Sequence, residues 1–228
     1  MSWQLLVIWV LAYLLGAIPF GWLLVWITRR KDIRYHASGR MGMSNVIRMV
    51  GIPGGVVTAV FDIGKGTLAV WMVRWFVPDH QPWMLSVAGL LAILGHIYSV
   101  FIIERRRDQR IYFRGGAGGL TSIGAAIGLW FPILPYILIP AAFLYFFIGY
   151  ASLATISFNV ASTLGFAYNA AVGREGVSWW FAVYGLCALA LVTISLRPNI
   201  KRLRRGDERL ISFRIRWRKA DRTQSNKK

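Results

Sequence analysis

Long apolar runs, separated by short stretches rich in arginine and lysine, constrain this chain more than any other feature. Each run approaches the roughly 20 mostly apolar residues that a helix needs to cross a bilayer. The composition agrees, since 56% of the 228 residues are hydrophobic and only 16% are charged, whereas soluble domains have about 25% charged residues. The pattern therefore predicts an all-α polytopic membrane protein rather than a soluble domain. The aromatic content of 14% argues against a disordered chain.

Seven transmembrane helices in a single domain, residues 1–196, account for the apolar runs. They are predicted to cover residues 3–27, 50–76, 83–103, 116–131, 133–150, 153–173 and 178–196. The segment 116–150 is the least regular, because Pro132, Pro135 and Pro140 cluster there. These prolines favour a tilted or partly re-entrant pair of helices.

The basic residues fall on one side of these predicted helices. All but three of the 27 Lys and Arg residues lie in residues 28–49, 104–117 and 197–228. These stretches share a side if the first helix enters the membrane from outside. The positive-inside rule then predicts an N-terminus outside the cell and a C-terminus in the cytoplasm. The net charge of +18 suits the anionic inner leaflet.

Residues 197–228 are predicted to form a basic cytoplasmic tail. Apolar side chains, among them Leu210, Phe213 and Trp217, are interleaved with its cations. This pattern is typical of a segment that lies on anionic membrane lipid, and the last residues are expected to be disordered. Membrane attachment accounts for the positive charge, so binding to nucleic acid is not predicted. The sequence indicates no particular oligomeric state.

Metal and cofactor sites are not predicted. The single cysteine excludes a disulfide framework and a metal site built from cysteines. No second histidine or carboxylate stands at metal-ligand spacing from His96.

A basic segment rich in glycine and serine, residues 37–48, is the first candidate site. Arg40 and Arg48 can neutralise a phosphate, and Ser38 and Asn45 can form hydrogen bonds to its oxygens. The alternative is a positively charged connecting loop that caps the second predicted helix.

Two opposite charges inside the second predicted helix form the second candidate. Asp62 and Lys65 are three residues apart and therefore share one helical face. They lie about three turns from the start of the helix, where a lone charge is expensive. Lys65 is interpreted as facing a phosphate cavity while Asp62 holds it. The alternative is a structural ion pair.

A glycine run at the start of the fourth predicted helix, residues 113–119, is the third candidate. Helix N-termini with an accessible glycine backbone bind phosphate, which makes Arg114, Gly115, Gly116 and Gly118 candidates for that role. Such runs also serve close helix packing, and this alternative stays open.

Three further polar residues belong to the same predicted cytoplasmic face. His96 lies in the inner half of the third helix and is either a neutral base or a structural group with its own hydrogen bonds. Ser152 begins the sixth helix and Asn199 follows the seventh. Either of these alone is explained as a cap or as part of a basic tail.

Together and in this order, these segments resemble the acyl-phosphate-dependent glycerol-3-phosphate acyltransferases of bacterial membranes, the PlsY family. The similar segments are residues 16–21, 32–48, 62–66, 95–101, 113–118, 151–153 and 199–208. The resemblance implies the same seven helices with the N-terminus outside, in the bacterial plasma membrane, and an active site that faces the cytoplasm. It also implies transfer of an acyl chain from acyl phosphate to the 1-hydroxyl of glycerol 3-phosphate. The products are lysophosphatidate and phosphate, in the first acylation of phospholipid synthesis.

The resemblance also implies roles for individual residues, carried over by motif position. The implied catalytic set is Ser38, Arg48, His96, Ser152 and Asn199. The implied phosphate-binding set is Arg40, Asn45, Lys65, Arg114, Gly115, Gly116 and Gly118. Ser38 and Asn199 are expected to form hydrogen bonds to the glycerol phosphate or to the leaving group. An acyl phosphate has a good leaving group, so an acyl-enzyme nucleophile is not required.

The chain departs from the family pattern at three places. Arg40 stands where the family has Asn, Ala117 stands where it has a second Lys, and the segment 96–113 is longer. We hypothesise that Arg40 supplies the charge that Ala117 omits. Two alternatives to an active enzyme remain: a non-catalytic homologue that acts as a membrane scaffold or regulator, and a transporter of an anionic metabolite.

Overall fold

The structure is a computed structural model that describes residues 3–105 and 111–208, and these residues form a helical bundle with one short hairpin. The helices are α1 (Trp3–Ala17), α2 (Phe20–Arg29), α3 (Met43–Val50), α4 (Ile52–Phe76), α5 (Pro82–Ile97), α6 (Gly119–Leu129), α7 (Leu134–Phe143), α8 (Ala151–Ala171), α9 (Trp179–Ser195) and α10 (Arg197–Arg205). The hairpin pairs β1 (Ile103–Arg105) with β2 (Ile111–Phe113) in antiparallel register.

Large apolar side chains cover the outside of the bundle. Val10 is 58% exposed, Val60 61%, Leu164 64% and Leu186 60%. So continuous an apolar surface is costly in water but suits hydrocarbon. The fold therefore has the surface of a membrane protein, as the apolar runs predicted.

Length and hydropathy single out fewer membrane-crossing helices than the seven predicted. Among the described residues, Trp3–Arg29 and Ile52–Phe76 are each long and apolar enough to cross a membrane. The pair Trp179–Ser195 and Arg197–Arg205, bent by 63°, makes a third if it is one span. The helices Pro82–Ile97 and Gly119–Leu129 are apolar but shorter.

The centre of the bundle is built by α4, α5 and α6, with α1 packed along α5 and α9 closing the other side. The α4–α6 crossing is close because Gly66 faces the backbone of Thr121 and Gly124 faces the backbone of Ile63. A side chain at either glycine would collide with backbone. Small residues at crossings are how apolar helices approach each other in membranes.

The first predicted helix, residues 3–27, is interrupted by proline. Pro19 has no N–H to donate, and the break between α1 and α2 leaves carbonyls of the preceding turn without helical partners. Other elements satisfy them: the Ser99 hydroxyl donates to the Ala17 carbonyl at 2.6 Å, and the Lys65 ammonium donates to the Ile18 carbonyl at 3.1 Å.

The third predicted helix was wrong at its C-terminal end. It was expected to run to residue 103, but α5 ends at Ile97 and residues 103–105 form β1. The segment after Ile97 is rich in β-branched residues, which favour strands. β1 pairs with β2, and the Arg114 N–H donates to the Ile102 carbonyl at 2.9 Å. Residues 106–110, between β1 and β2 in the sequence, lie outside the described residues.

The predicted helix 133–150 is also two pieces. A 3₁₀ turn, Phe131–Ile133, precedes α7, which contains Pro140, and a wider π turn, Leu144–Ile148, follows it. Proline removes a helical hydrogen bond and crowds the preceding turn, so the irregular backbone stands where the proline cluster predicted it.

Two short helices at one end of the bundle were not predicted from hydropathy. α3 ends at Val50, and Gly51, with a φ of +88°, turns the chain into α4. α10 follows α9 after the 63° bend. The apolar tail residues that predicted an interfacial segment, 210–217, lie outside the described residues.

Candidate active site

A cavity of about 160 Å³ opens where α3, α10 and the N-terminal ends of α6 and α8 converge. Eight of the residues predicted for the site line it: Ser38, Arg40, Asn45, Arg48, His96, Gly118, Ser152 and Asn199. These residues come from five separate segments of the chain. The fold therefore brings most of the predicted site together at one end of the bundle.

Arg40 is held in the cavity wall by hydrogen bonds from its backbone and from its guanidinium. Its backbone N–H donates to the Ser38 hydroxyl at 3.4 Å, and its Nη2 donates to the Ser195 carbonyl at the end of α9. The Asn45 amide donates to the Arg40 carbonyl at 2.9 Å. Burial, followed by repulsion from Arg202, lowers the pKa of the Arg40 guanidinium below its usual value, and Glu208 opposes this. Within the described residues, Arg40 is thus a fixed cation that forms no ion pair.

Four buried polar atoms of the cavity residues have no hydrogen-bond partner within the described protein. They are Arg40 Nη1, Asn45 Oδ1, Ser152 Oγ and Asn199 Oδ1. An unsatisfied buried polar group costs about 1–3 kcal/mol, so four around one cavity are groups that ordered water or a bound ligand would satisfy. Two of the four can donate and two accept, which suits a ligand that carries both anionic oxygens and hydroxyl groups.

The mouth of the cavity is organised by Glu208. Its carboxylate accepts from the Asn199 amide at 2.7 Å and from Arg202 Nε at 2.9 Å. Arg48 also lines the cavity and donates from Nη1 to the Ser44 carbonyl at 3.3 Å. Cations therefore dominate this end of the bundle, and the cavity favours anions.

His96 lies at the inner wall, next to a buried ion pair. Asp62 Oδ1 is 2.9 Å from Lys65 Nζ and 3.5 Å from His96 Nδ1. The expectation that Lys65 faces the phosphate cavity differs from its placement, because Lys65 does not line the cavity. Its ammonium pairs with Asp62 and with the Ile18 carbonyl that the α1–α2 break exposes. This is the structural ion pair that the sequence left as the alternative.

Three more residues predicted to bind phosphate do not line the cavity: Arg114, Gly115 and Gly116. Arg114 forms a 2.5 Å ion pair with Glu104 at the base of the hairpin. The two glycines pack against His96, and the Gly116 N–H donates to the His96 carbonyl at 2.9 Å. A β-carbon at Gly116 would collide with the imidazole ring. The glycines therefore seat His96, while Gly118 and Gly119 border the cavity at the start of α6.

Sequence reasoning did not select several residues that line the cavity. Arg202 and Glu208 belong to it because Gly206, with a φ of +77°, ends α10 and turns the chain back. Thr155 and Phe158 line the wall that α8 provides. Their spacing from Ser152 along one helix face was an available signal.

This chain is similar to known proteins over nearly its whole length. The family model for glycerol-3-phosphate acyltransferase matches residues 6–206. The glycerol-3-phosphate acyltransferase of a Thermus thermophilus strain is 38% identical over 221 residues, which cover 93% of this chain and 96% of the relative. That of Lacticaseibacillus casei is 34% identical over 209 residues, covering 92% and 93%.

The fold is similar to a solved structure as well. A crystal structure of PlsY, an integral membrane glycerol 3-phosphate acyltransferase in its glycerol 3-phosphate form, superposes with a TM-score of 0.76 at 28% identity. The match covers 90% of this chain and 94% of the other. The lysophosphatidic acid form gives a TM-score of 0.72. This protein is therefore a member of the glycerol-3-phosphate acyltransferase family.

Proposed function

We propose that this protein transfers an acyl chain from acyl phosphate to the 1-hydroxyl of glycerol 3-phosphate, releasing lysophosphatidate and inorganic phosphate. The observation that carries the proposal is the set of four unpartnered polar atoms that the described residues place around one cationic cavity. Relatives from two bacteria carry the name of this activity, and the similar PlsY structures are of a glycerol 3-phosphate form and a lysophosphatidic acid form.

The reaction needs few protein groups. The 1-hydroxyl oxygen attacks the acyl carbonyl carbon, the bond from that carbon to the anhydride oxygen breaks, and phosphate leaves with the electron pair. The hydroxyl proton passes to an oxygen of the departing phosphate. The protein therefore contributes mainly by holding two anions and one carbonyl in register.

The cavity residues divide this work. Arg40 and Arg48 neutralise phosphate charge, and the Ser152 hydroxyl donates to an oxygen of the donor. Asn199 was expected to bind the glycerol phosphate or the leaving group. Because its amide nitrogen already donates to Glu208, we assign its oxygen to accept from a glycerol hydroxyl. Ser38 fixes the backbone of Arg40.

The backbone at Gly118 and Gly119 adds amide dipoles, because these glycines lie where α6 begins. His96 lines the cavity beside Asp62. We place its imidazole next to the reacting groups, where it forms part of the inner wall of the cavity.

We also propose that the bundle crosses the membrane seven times, with the cavity facing the cytoplasm of a bacterium. Polar residues lower the hydropathy of α8, but they bond to its own carbonyls: Asn159 donates to Thr155 at 3.0 Å and Asn169 to Gly165 at 2.8 Å. Such local bonds make polar side chains compatible with lipid. The strongly basic α10 lies at the cavity end, where anionic lipid would hold it.

Labelling of single cysteines tests the orientation. In a Cys187→Ser background, Glu175→Cys precedes α9 and Asp207→Cys follows α10. An impermeant maleimide added to intact spheroplasts should label Glu175→Cys, and should label Asp207→Cys only after lysis. The reverse pattern would contradict the proposed topology.

Phosphate release tests the activity. Purified protein in lipid vesicles should release phosphate from palmitoyl phosphate only when glycerol 3-phosphate is present, and lysophosphatidate should appear in equal amount. Acyl-CoA and acyl carrier protein serve as alternative donors in parallel. Phosphate release no greater than that of protein-free vesicles would favour the scaffold, and uptake of glycerol 3-phosphate without a donor would favour the transporter.

A further inference from the structure

One wall of the cavity is a single face of α8. Ser152, Thr155 and Phe158 line it together, and residues spaced by three or four share a helix face. At a rise of 1.5 Å per residue, Phe158 lies about 9 Å further along α8 than Ser152. The cavity is therefore elongated along this helix.

The two ends of this wall differ in chemistry. At the Ser152 end the hydroxyl is buried and has no partner in the described protein, close to the cavity arginines. At the other end Phe158 is partly buried and packs against the main apolar cluster. Leu120 of α6, next to the Gly119 that contacts Thr155, also lines the cavity and packs against that cluster. An amphiphile with an anionic head and an alkyl chain matches this gradient from polar to apolar.

The cavity ends at Phe158 along α8. Within the described residues, the next position on the same face, Ser162, is not part of the lining. Ser162 is 3% exposed, and its hydroxyl donates to the Asn159 carbonyl at 3.0 Å. A chain that extends beyond Phe158 must therefore turn along the ring and leave towards the bilayer.

We propose that Phe158 determines the acyl-chain preference of the reaction by packing against the chain beyond its first carbons. This inference rests on the proposed function, because it places the donor's phosphate and carbonyl at the Ser152 end. An extended alkyl chain covers the roughly 9 Å in about seven carbons, given C–C bonds near 1.5 Å. Hexanoyl phosphate therefore ends before the ring, while palmitoyl phosphate passes it.

The experiment compares two donors in vesicles of fixed composition. In Phe158→Ala, the ratio of kcat/KM for palmitoyl phosphate to that for hexanoyl phosphate should fall at least about fivefold from the wild-type ratio, because only the longer chain loses an aromatic packing surface. Phe158→Leu keeps an apolar side chain and should lower the ratio about twofold, which keeps the test informative if the alanine variant does not fold. Leu164→Ala, on the lipid-facing side of α8, is the matched control and should leave the ratio unchanged.

A binding measurement separates this inference from the proposed function. Hexadecyl phosphate and hexyl phosphate contain no anhydride, so their affinities report on the cavity without turnover. Phe158→Ala should weaken hexadecyl phosphate at least about fivefold and leave hexyl phosphate unchanged. If wild type shows no turnover but the affinities change in this way, the proposed function is wrong, and what holds of the inference is that Phe158 packs against the alkyl chain of a bound phosphate. An unchanged or increased long-to-short ratio in Phe158→Ala, in turnover or in binding, would overturn the inference.

Discussion

Two buried polar clusters lie on either side of His96, and they differ in how their groups are satisfied. In the inner cluster, Lys65 has a carboxylate and a carbonyl as partners within 3.1 Å. In the cavity, atoms of Arg40, Ser152 and Asn199 are buried without any partner in the described protein. A charge inside a membrane protein shows only that a partner is required. Whether the partner belongs to the protein or to a ligand is decided by the tertiary structure.

The largest expected effect is on stability, from breaking the satisfied cluster. Lys65→Met leaves Asp62 buried without its cation, and such a loss costs about 3–5 kcal/mol of folding free energy. Thermal unfolding in detergent measures it. The double variant Asp62→Leu/Lys65→Met removes both charges and should recover most of the loss. If Lys65→Met is as stable as wild type, Lys65 has no structural role.

The next effect is on activity, from the unsatisfied cluster. Ser152→Ala removes a hydroxyl that bonds to no other described group, so the melting temperature should not fall. Loss of one donor to developing charge lowers kcat by about 10²–10³-fold. Phosphate-release kinetics measure kcat, and thermal unfolding measures the melting temperature. If Ser152→Ala loses stability as well as activity, the Ser152 hydroxyl stabilises the fold and does not act on the substrate.

A smaller effect tests whether Arg40 replaces a missing lysine. Arg40→Asn should lower kcat/KM about tenfold, the loss of one partly screened charge contact of about 1.4 kcal/mol. The double variant Arg40→Asn/Ala117→Lys should regain most of it, because Ala117 lines the same cavity. Full activity of Arg40→Asn alone would remove the hypothesis.

The smallest effect concerns an ion pair outside both clusters. Partial burial raises the pKa of Asp32, but hydrogen bonds from Arg34, the closest at 2.6 Å, hold that pKa below its usual value. A depressed folded-state pKa contributes stability above the unfolded pKa, and this contribution is lost as pH falls through the folded value. Wild type should therefore exceed Asp32→Asn in stability by less than about 1 kcal/mol at neutral pH. The difference should begin to fall near the ordinary aspartate pKa of 3.8 and vanish once the pH is below the lower folded-state pKa, as thermal unfolding across pH will show. A difference that grows in acid would contradict the assignment.

The sequence predicted the helical class and eight of the residues that line the cavity, because both leave local signals. Apolar runs mark helices, and Ser38, Arg48, Ser152 and Asn199 occupy recognisable motif positions. Hydropathy could not predict the end of α5 at Ile97, since the apolar run continues into the strand. Nor could hydropathy show that Lys65 is satisfied within the protein whereas Arg40 faces the cavity. The Ile18 carbonyl that accepts from Lys65 is exposed by a proline break 47 residues away in the sequence.

The Arg40 contact with Ser195 joins positions 155 residues apart. The cavity wall on the α3 side is thus tied to the end of α9, and its mouth depends on Glu208. During synthesis the helices enter the membrane from the N-terminus onward, so Arg40 has no Ser195 partner and the mouth has no Glu208 until residues 195–208 have been made. The complete cavity can therefore form only after residues 195–208 have been made, and a chain that terminates before them would insert without acquiring it.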